Sequence, residues 1–296
     1  MSTSEQSRTR TGVAYALAAF FAWGVNPFYF RAVAEVPTLE ILGVRIVWSM
    51  LFLFPFVLYA RQWPQVVRAL TNRKTLATLA ATSAVVGANW LLYIHTIEVG
   101  RVLESSLGYY INPLVNVLFG RLFLFERLTR AQALAVALAA AGVLNLAIAY
   151  GEVPWLALGL AVTFAVYGLL RKIVAVEALP GLFIETMMLF PLAAGGLLMF
   201  GGSFGAIDRT TDLLLILAGP VTSLPLLWFT CAARRLKLSV IGFFQFISPS
   251  CQFLIAVFAF GEKFGRPHYV TFALISLAIA IFTLAPRLRR REPAAV

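Results

Sequence analysis

Tyr109, Asn112, Pro113 and Asn116 stand at i, i+3, i+4 and i+7 inside the apolar run from Glu104 to Glu126. That spacing puts all four on one face of a helix. The chemistry they offer is hydrogen bonding, not nucleophilic attack or metal ligation. The row returns later in the chain at one constant offset: Tyr109 maps to Gln245, Asn112 to Ser248, Pro113 to Pro249, Asn116 to Gln252 and Glu126 to Glu262. In lipid, a buried polar group without a partner is costly. Two matching polar helices, each with a proline, therefore read as the lining of a central cavity. The competing reading is that their side chains tie helices together by hydrogen bonds. Recurrence in both halves favours the lining.

Other residues of the same chemistry lie on neighbouring runs. Trp23 and Asn26 are one turn apart, and Pro27 frees a backbone carbonyl. Asn89 and Tyr93 are spaced i, i+4 with Trp90 between them, and Thr163 and Tyr167 repeat the spacing. Thr222 and Ser223 precede a kink expected at Pro225. The expected substrate-binding set is Trp23, Asn26, Asn89, Trp90, Tyr93, Tyr109, Asn112, Thr163, Tyr167, Gln245 and Ser248, with Pro27, Pro113, Pro225 and Pro249 as hinges. This lining is aromatic and polar but nearly uncharged. It suits small zwitterions or amphipathic aromatics better than ions or nucleotides.

Charged residues near the apolar runs form a second set. Arg45 and Glu185 lie within apolar runs, and His95 and Glu104 flank an outer turn that also carries Glu98 and Arg101. Arg45, His95, Glu104 and Glu185 are candidate gate charges. The bland alternatives are snorkelling to the nearer interface and a solvated loop. No carboxylate is expected at mid-membrane, so a dedicated proton relay is not visible.

The elements that must position these residues follow from composition. The chain is 60% hydrophobic and 12% charged, against about a quarter charged in soluble domains. The bilayer is its solvent. The net charge of +11 sits in short loops and forms no folded basic face, so no nucleic-acid partner is expected. Cys231 and Cys251, in apolar runs, read as small hydrophobes. His95 and His268 have no ligand spacing around them, so no metal and no cofactor is expected. Arg8 and Arg10 precede a run too long for a signal-peptide core.

About 20 apolar residues cross a bilayer. Ten runs qualify: Gly12–Phe30, Leu39–Ala60, Leu76–Ile97, Val102–Leu124, Ala131–Tyr150, Pro154–Val174, Gly181–Phe200, Leu213–Ala233, Leu238–Phe260 and Tyr269–Ala285. With the N-terminus inside, most Lys and Arg fall on the inner side; the outer side keeps Arg31, Arg101, Arg209, Lys263 and Arg266. Both termini are therefore expected in the cytoplasm. The first and sixth runs share a second offset, pairing Phe20 with Phe164, Trp23 with Tyr167 and Gly24 with Gly168. Five spans per unit is odd, so the second unit is inverted. The expectation is an all-α integral membrane protein, with units at residues 1–150 and 151–296. The fifth and tenth spans, rich in small residues, brace the halves or form a homodimer contact.

Four segments carry a resemblance: AAFFAWGVNPFYFR (Ala18–Arg31), ANWLLYIHTIEVGRVLESSLGYYINPLVNVLFGRLFLFERL (Ala88–Leu128), PWLALGLAVTFAVYGLLRK (Pro154–Lys172) and LSVIGFFQFISPSCQFLIAVFAFGEKF (Leu238–Phe264). They are similar to the drug/metabolite transporter superfamily, EamA type, most closely its RarD-like branch. The resemblance implies ten transmembrane helices in two inverted five-helix EamA repeats and alternating access. It also implies export of amino acids, amines, drugs or related metabolites. RarD-like members often carry a chloramphenicol-resistance label. His95 stands where the resemblance implies an aromatic residue. The expected function is a secondary transporter of the bacterial inner membrane. It exports amino acids, aromatic ones included, and similar small metabolites with broad specificity. Its partners are small-molecule substrate and membrane lipid. Efflux of drug-like aromatics or organic cations is the alternative. A passive channel or an intramembrane enzyme is more remote.

Overall fold

The computed structural model describes residues 3–98, 102–151, 155–259 and 265–289. Regular structure among them is helical throughout. In chain order the helices are α1 (Thr3–Ala32), α2 (Thr38–Tyr59), α3 (Trp63–Thr71), α4 (Arg73–Glu98), α5 (Val102–Phe123) and α6 (Arg130–Tyr150). They continue with α7 (Trp155–Ile173), α8 (Ala178–Phe200), α9 (Arg209–Ala233), α10 (Leu238–Gln245), α11 (Ile247–Leu254), a π-helical turn at Ile255–Ala259, and α12 (Arg266–Arg289). Seven helices among the described residues are long and apolar enough to cross a membrane: α1, α2, α4, α6, α7, α8 and α9. The chain is a multi-pass membrane protein. At 30 residues, α1 is about 45 Å long, against a hydrocarbon layer of about 30 Å. Its first turns, with Arg8 and Arg10, therefore reach past the apolar layer.

Two features depart from the expected runs. The loop after the second run contains α3, a nine-residue helix that buries Val66 and Ala69. It packs on α4 and α8. A helix this short falls below the length that marks a span, so hydropathy passes over it. The ninth run, Leu238–Phe260, is not one helix but α10, α11 and the π turn, broken at Phe246. Pro249 cannot donate to the carbonyl of Gln245, four residues back, which weakens the helix at that step. By contrast α1, α5 and α9 run unbroken through Pro27, Pro113 and Pro225. Membrane helices tolerate proline where neighbours take up the freed carbonyl. Here Gln252 Nε2 donates to the Trp23 carbonyl, which Pro27 leaves free, at 3.1 Å.

The packing has a regular pattern. α1 lies against α9 and α11, while α7 lies against α4 and α5. α2 pairs with α8, α5 with α10, and α6 with α12. Small residues permit the closest approaches. A Cβ on Gly24 would stand 2.6 Å from Cys251 Cβ, so α1 can meet α11 only through glycine. A Cβ on Gly242 would stand 2.7 Å from the Pro113 carbonyl oxygen, which holds α10 against α5. The small faces of α6 and α12 meet each other: Thr271 Oγ1 donates to the Gly142 carbonyl at 2.8 Å, and Asn145 Nδ2 to the Pro267 carbonyl at 2.9 Å.

One staple joins the end of the first matched run to the start of the second. Glu126, just past α5, caps the N-terminus of α10. Its carboxylate accepts from Leu238 N at 2.7 Å, Ser239 N at 3.0 Å and Ser239 Oγ at 2.6 Å. A carboxylate satisfies free N–H groups and complements the helix dipole at such a terminus.

Candidate functional site

The helices enclose a cavity of about 130 Å³. Its lining comes from α1, α2, α4, α5, α7, α9, α10 and α11. Trp23, Asn26 and Pro27 reach it from α1, Asn89, Trp90 and Tyr93 from α4, and Tyr109 and Asn112 from α5. Gln245, Ser248 and Pro249 close the ring from the broken α10–α11 pair. The lining lies in the C-terminal halves of α1 and α4 and the N-terminal halves of α5 and α7, hence at one end of the bundle. A volume near 150 Å³ holds a benzene ring, so the cavity as it stands accepts one aromatic ring or a group of that size.

The polar row does two jobs. Tyr109 retains 39% of its surface although protein surrounds it, because that surface faces the cavity. Its ring packs on Tyr93 with centroids 6.2 Å apart. The asparagines are spent on neighbouring helices. Asn112 Nδ2 donates to the Ala161 carbonyl at 2.8 Å. Asn116 Nδ2 donates to Asn112 Oδ1 at 2.9 Å and to Gln245 Oε1. Asn89 Nδ2 donates to the Leu160 carbonyl at 2.9 Å and to Thr163 Oγ1 at 2.8 Å. The sequence alternatives, cavity lining and interhelical bonding, are thus divided among members of one row.

Two expected lining residues stand elsewhere. Thr163 faces α4 and accepts from Asn89, and its hydroxyl donates to the Gly159 carbonyl at 2.7 Å. Tyr167 is fully buried below the cavity. From α7 the lining takes Leu160 and Phe164 instead. Polarity points to the face that hydrogen-bonds α4, whereas the lining face of α7 is apolar. Phe20 and Phe164, which the second offset pairs, both line the cavity, so the repeated aromatic pair was the usable signal. Phe30, Gly108, Thr222, Leu226 and Gln252 are further lining residues that the set omits. Of the expected hinges, Pro113 and Pro225 lie outside the lining; Pro225 is buried within α9.

Arg45 does not snorkel to an interface; it lines the cavity. Its Nε donates to Thr222 Oγ1 at 2.9 Å. Its guanidinium carbon lies 5.3 Å from the Trp90 ring centroid and 5.7 Å from that of Phe30. Both distances are in cation–π range.

Below the cavity an aromatic floor closes the bundle. Phe229 of α9 stacks on Tyr167 at 6.2 Å and contacts Phe164 at 5.2 Å, Trp23 at 5.9 Å and Phe20 at 6.1 Å. Beneath it Glu185 is buried, at 1% exposure, and points into the protein. It sits 3.5 Å from Arg171 Nη1, accepts from Thr82 Oγ1 at 2.5 Å and from Tyr167 OH at 3.2 Å. Arg171 Nη2 donates to the Ala178 carbonyl at 3.0 Å. Gly181 leaves the guanidinium its room, since a Cβ there would overlap it. His95 is exposed and outside the lining. The side chains of Glu98 and Glu104, and all of Arg101, lie outside the described residues.

A larger groove of about 710 Å³ near the N-terminus is bordered by Arg8, Arg234 and Arg235. Those cations are already engaged: Arg8 with the Arg234 carbonyl, Arg234 with the Val174 and Val176 carbonyls, Arg235 with the Cys231 carbonyl. Among the described residues, no three His, Cys, Asp or Glu gather into a metal-sized cluster.

Known proteins resemble this chain in sequence and fold. The sequence profile of the EamA-like transporter family matches residues 10–148. Protein RarD of Salmonella typhi is 48% identical over 95% of this chain and 97% of its own length. A Pseudomonas aeruginosa relative, chloramphenicol-sensitive protein RarD, is 33% identical over 91% of this chain and 92% of its own. A solved crystal structure, 19% identical, superposes with a TM-score of 0.72 over 95% of this chain and 99% of that one, and so shares the fold. With near-half identity along almost its whole length, the chain belongs to the EamA-like transporter family, in the RarD-like branch of the drug/metabolite transporters.

Proposed function

We propose that this transporter exports amino acids, aromatic ones included, and similar small metabolites from the cytoplasm of a bacterium by alternating access. The observation that carries the reading is the cavity at one end of the bundle, lined by aromatic rings and neutral polar groups and closed below by the Phe229 floor. Residues 1–150 and 151–296 form two inverted five-span repeats with both termini cytoplasmic. The helix pairing supports this: α1 packs on α9 and α11 as α7 packs on α4 and α5, while α2–α8, α5–α10 and α6–α12 pair across the halves. The charge distribution of the loops supports the orientation, in the bacterial inner membrane. Under that orientation the cavity lies in the outer half and the Glu185–Arg171 network closes the inner half. The cavity offers binding groups and no nucleophile–base pair, which fits a carrier and not an enzyme. A homodimer through α6 and α12 would use their outer faces, where Leu144, Ile148 and Leu277 are exposed.

Counterflow of labelled L-phenylalanine in proteoliposomes tests the reading. Saturable counterflow, weakened at least about tenfold by Tyr109→Ala and by Gln245→Ala, is the expected outcome. Unchanged transport in both variants would remove the cavity from the path. A second reading, efflux of drug-like aromatics, draws on the relative named for chloramphenicol sensitivity. It predicts growth resistance on overexpression without competition by any amino acid.

A further inference from the structure

Arg45 is the only charged residue in the cavity lining among the described residues. Of its donors, Nε alone is used, on Thr222 Oγ1. The two terminal amino groups donate to no side chain or carbonyl among the described residues. The surroundings are rings and phenols: Trp90, Phe30, Tyr29, Tyr93 and Tyr109. A guanidinium taken out of water is expensive unless paired, and rings compensate only in part. Among the described residues no carboxylate relieves it. Glu40 is held by Gly202 N, Ser203 N and Ser203 Oγ, and Glu185 lies under the aromatic floor with Arg171.

Resting on the reading of this cavity as the substrate site, we infer that Arg45 is the anchor for a carboxylate on the substrate. The transported molecule is then an aromatic acid or zwitterion and not an organic cation. The free fork of Arg45 matches a carboxylate in two parallel hydrogen bonds. Its cation–π contact with Trp90 and its bond to Thr222 hold the guanidinium at the cavity wall, and the benzene-sized space lined by Tyr93 and Tyr109 takes the ring. Among the described lining residues an ammonium finds only neutral acceptors, such as Asn26, Gln245 and Ser248, and meets the Arg45 charge. Like charges in a low-dielectric site repel strongly.

The test uses four probes that share a phenyl ring and differ in charge: 3-phenylpropanoate, L-phenylalanine, 3-phenylpropanamide and 2-phenylethylamine. Binding to the purified full chain in nanodiscs is followed by tryptophan fluorescence, since Trp23 and Trp90 line the cavity. The propanoate is expected to bind at least about tenfold tighter than the amide, with phenylalanine between them and the amine weakest. Arg45→Gln brings the propanoate to the level of the amide and leaves the amide within about twofold; Arg45→Lys retains part of the preference. An amine that binds as well as the propanoate, or an Arg45→Gln effect equal on all four probes, would overturn the assignment while leaving the cavity reading intact. Binding by none of the four would remove the cavity reading, and this one with it. Should Arg45→Gln not fold, the wild-type ranking and Arg45→Lys decide alone.

Discussion

Glu185 shows how much a single buried charge depends on its partner. Replacing one member of a buried ion pair typically costs about 3–5 kcal/mol, because the other charge is stranded. Glu185→Leu is therefore expected to lower stability by about 3 kcal/mol, read as a fall in thermal unfolding temperature in detergent. Glu185→Leu combined with Arg171→Met should recover most of it, since an apolar pair of similar volume avoids both desolvation costs. A double variant as weak as the single would show that the carboxylate has a role besides balancing Arg171. At the residue scale the polar row was legible in the sequence, because helical spacing defines a face. Which members reach the cavity was not. Tyr109 and Asn116 share that face, yet Tyr109 meets open space and Asn116 meets Gln245. That difference is set by what packs opposite, and no local pattern contains it. The cavity position of Arg45 was not legible for the same reason: its distance from the helix end leaves snorkelling open, but Thr222 and Trp90 on other helices hold it inward.

Helix existence was legible because apolar runs of spanning length have one outcome in lipid. Helix interruption was legible only as prolines, and proline alone does not decide it. Pro113 and Pro249 are matched by the repeat, yet α5 is continuous and the run containing Pro249 breaks at Phe246. The short α3 carries too few residues for a hydropathy signal, and tertiary burial of Val66 and Ala69 holds it. Element-scale contacts are also the most exposed to small changes. Gly242→Ala would press a methyl against the Pro113 carbonyl. Overpacking of that kind costs about 1–3 kcal/mol, so this variant is expected to unfold at lower temperature, with the loss measured by thermal denaturation. An unchanged midpoint would mean that α10 can shift away from α5 at little cost.

For the molecule as a whole, the two ends of the bundle differ: one holds the cavity, the other a packed aromatic floor over a buried ion pair. Accessibility should follow. After replacement of Cys231 and Cys251 by Ala, a cysteine at Ser248 is expected to react with a membrane-impermeant maleimide added outside whole cells, and to be protected by substrate. A cysteine at Thr230, fully buried below the floor, should not react. Equal labelling of both would contradict the one-ended arrangement.

The Glu126 staple has a mechanical consequence. It fastens the end of α5 to the start of α10, while the cavity residues of α5 lie near the other end. From Phe123 back to Tyr109 is about 20 Å at 1.5 Å per residue. The two helices are then scissor blades, with the rivet at Glu126. A swing of about 10° on that arm carries Tyr109 about 3.5 Å, roughly the thickness of an aromatic ring, while the riveted end barely travels. Small angular changes at a fixed pivot are thus enough to decide whether a flat molecule slips past Tyr109 or is pinched by it.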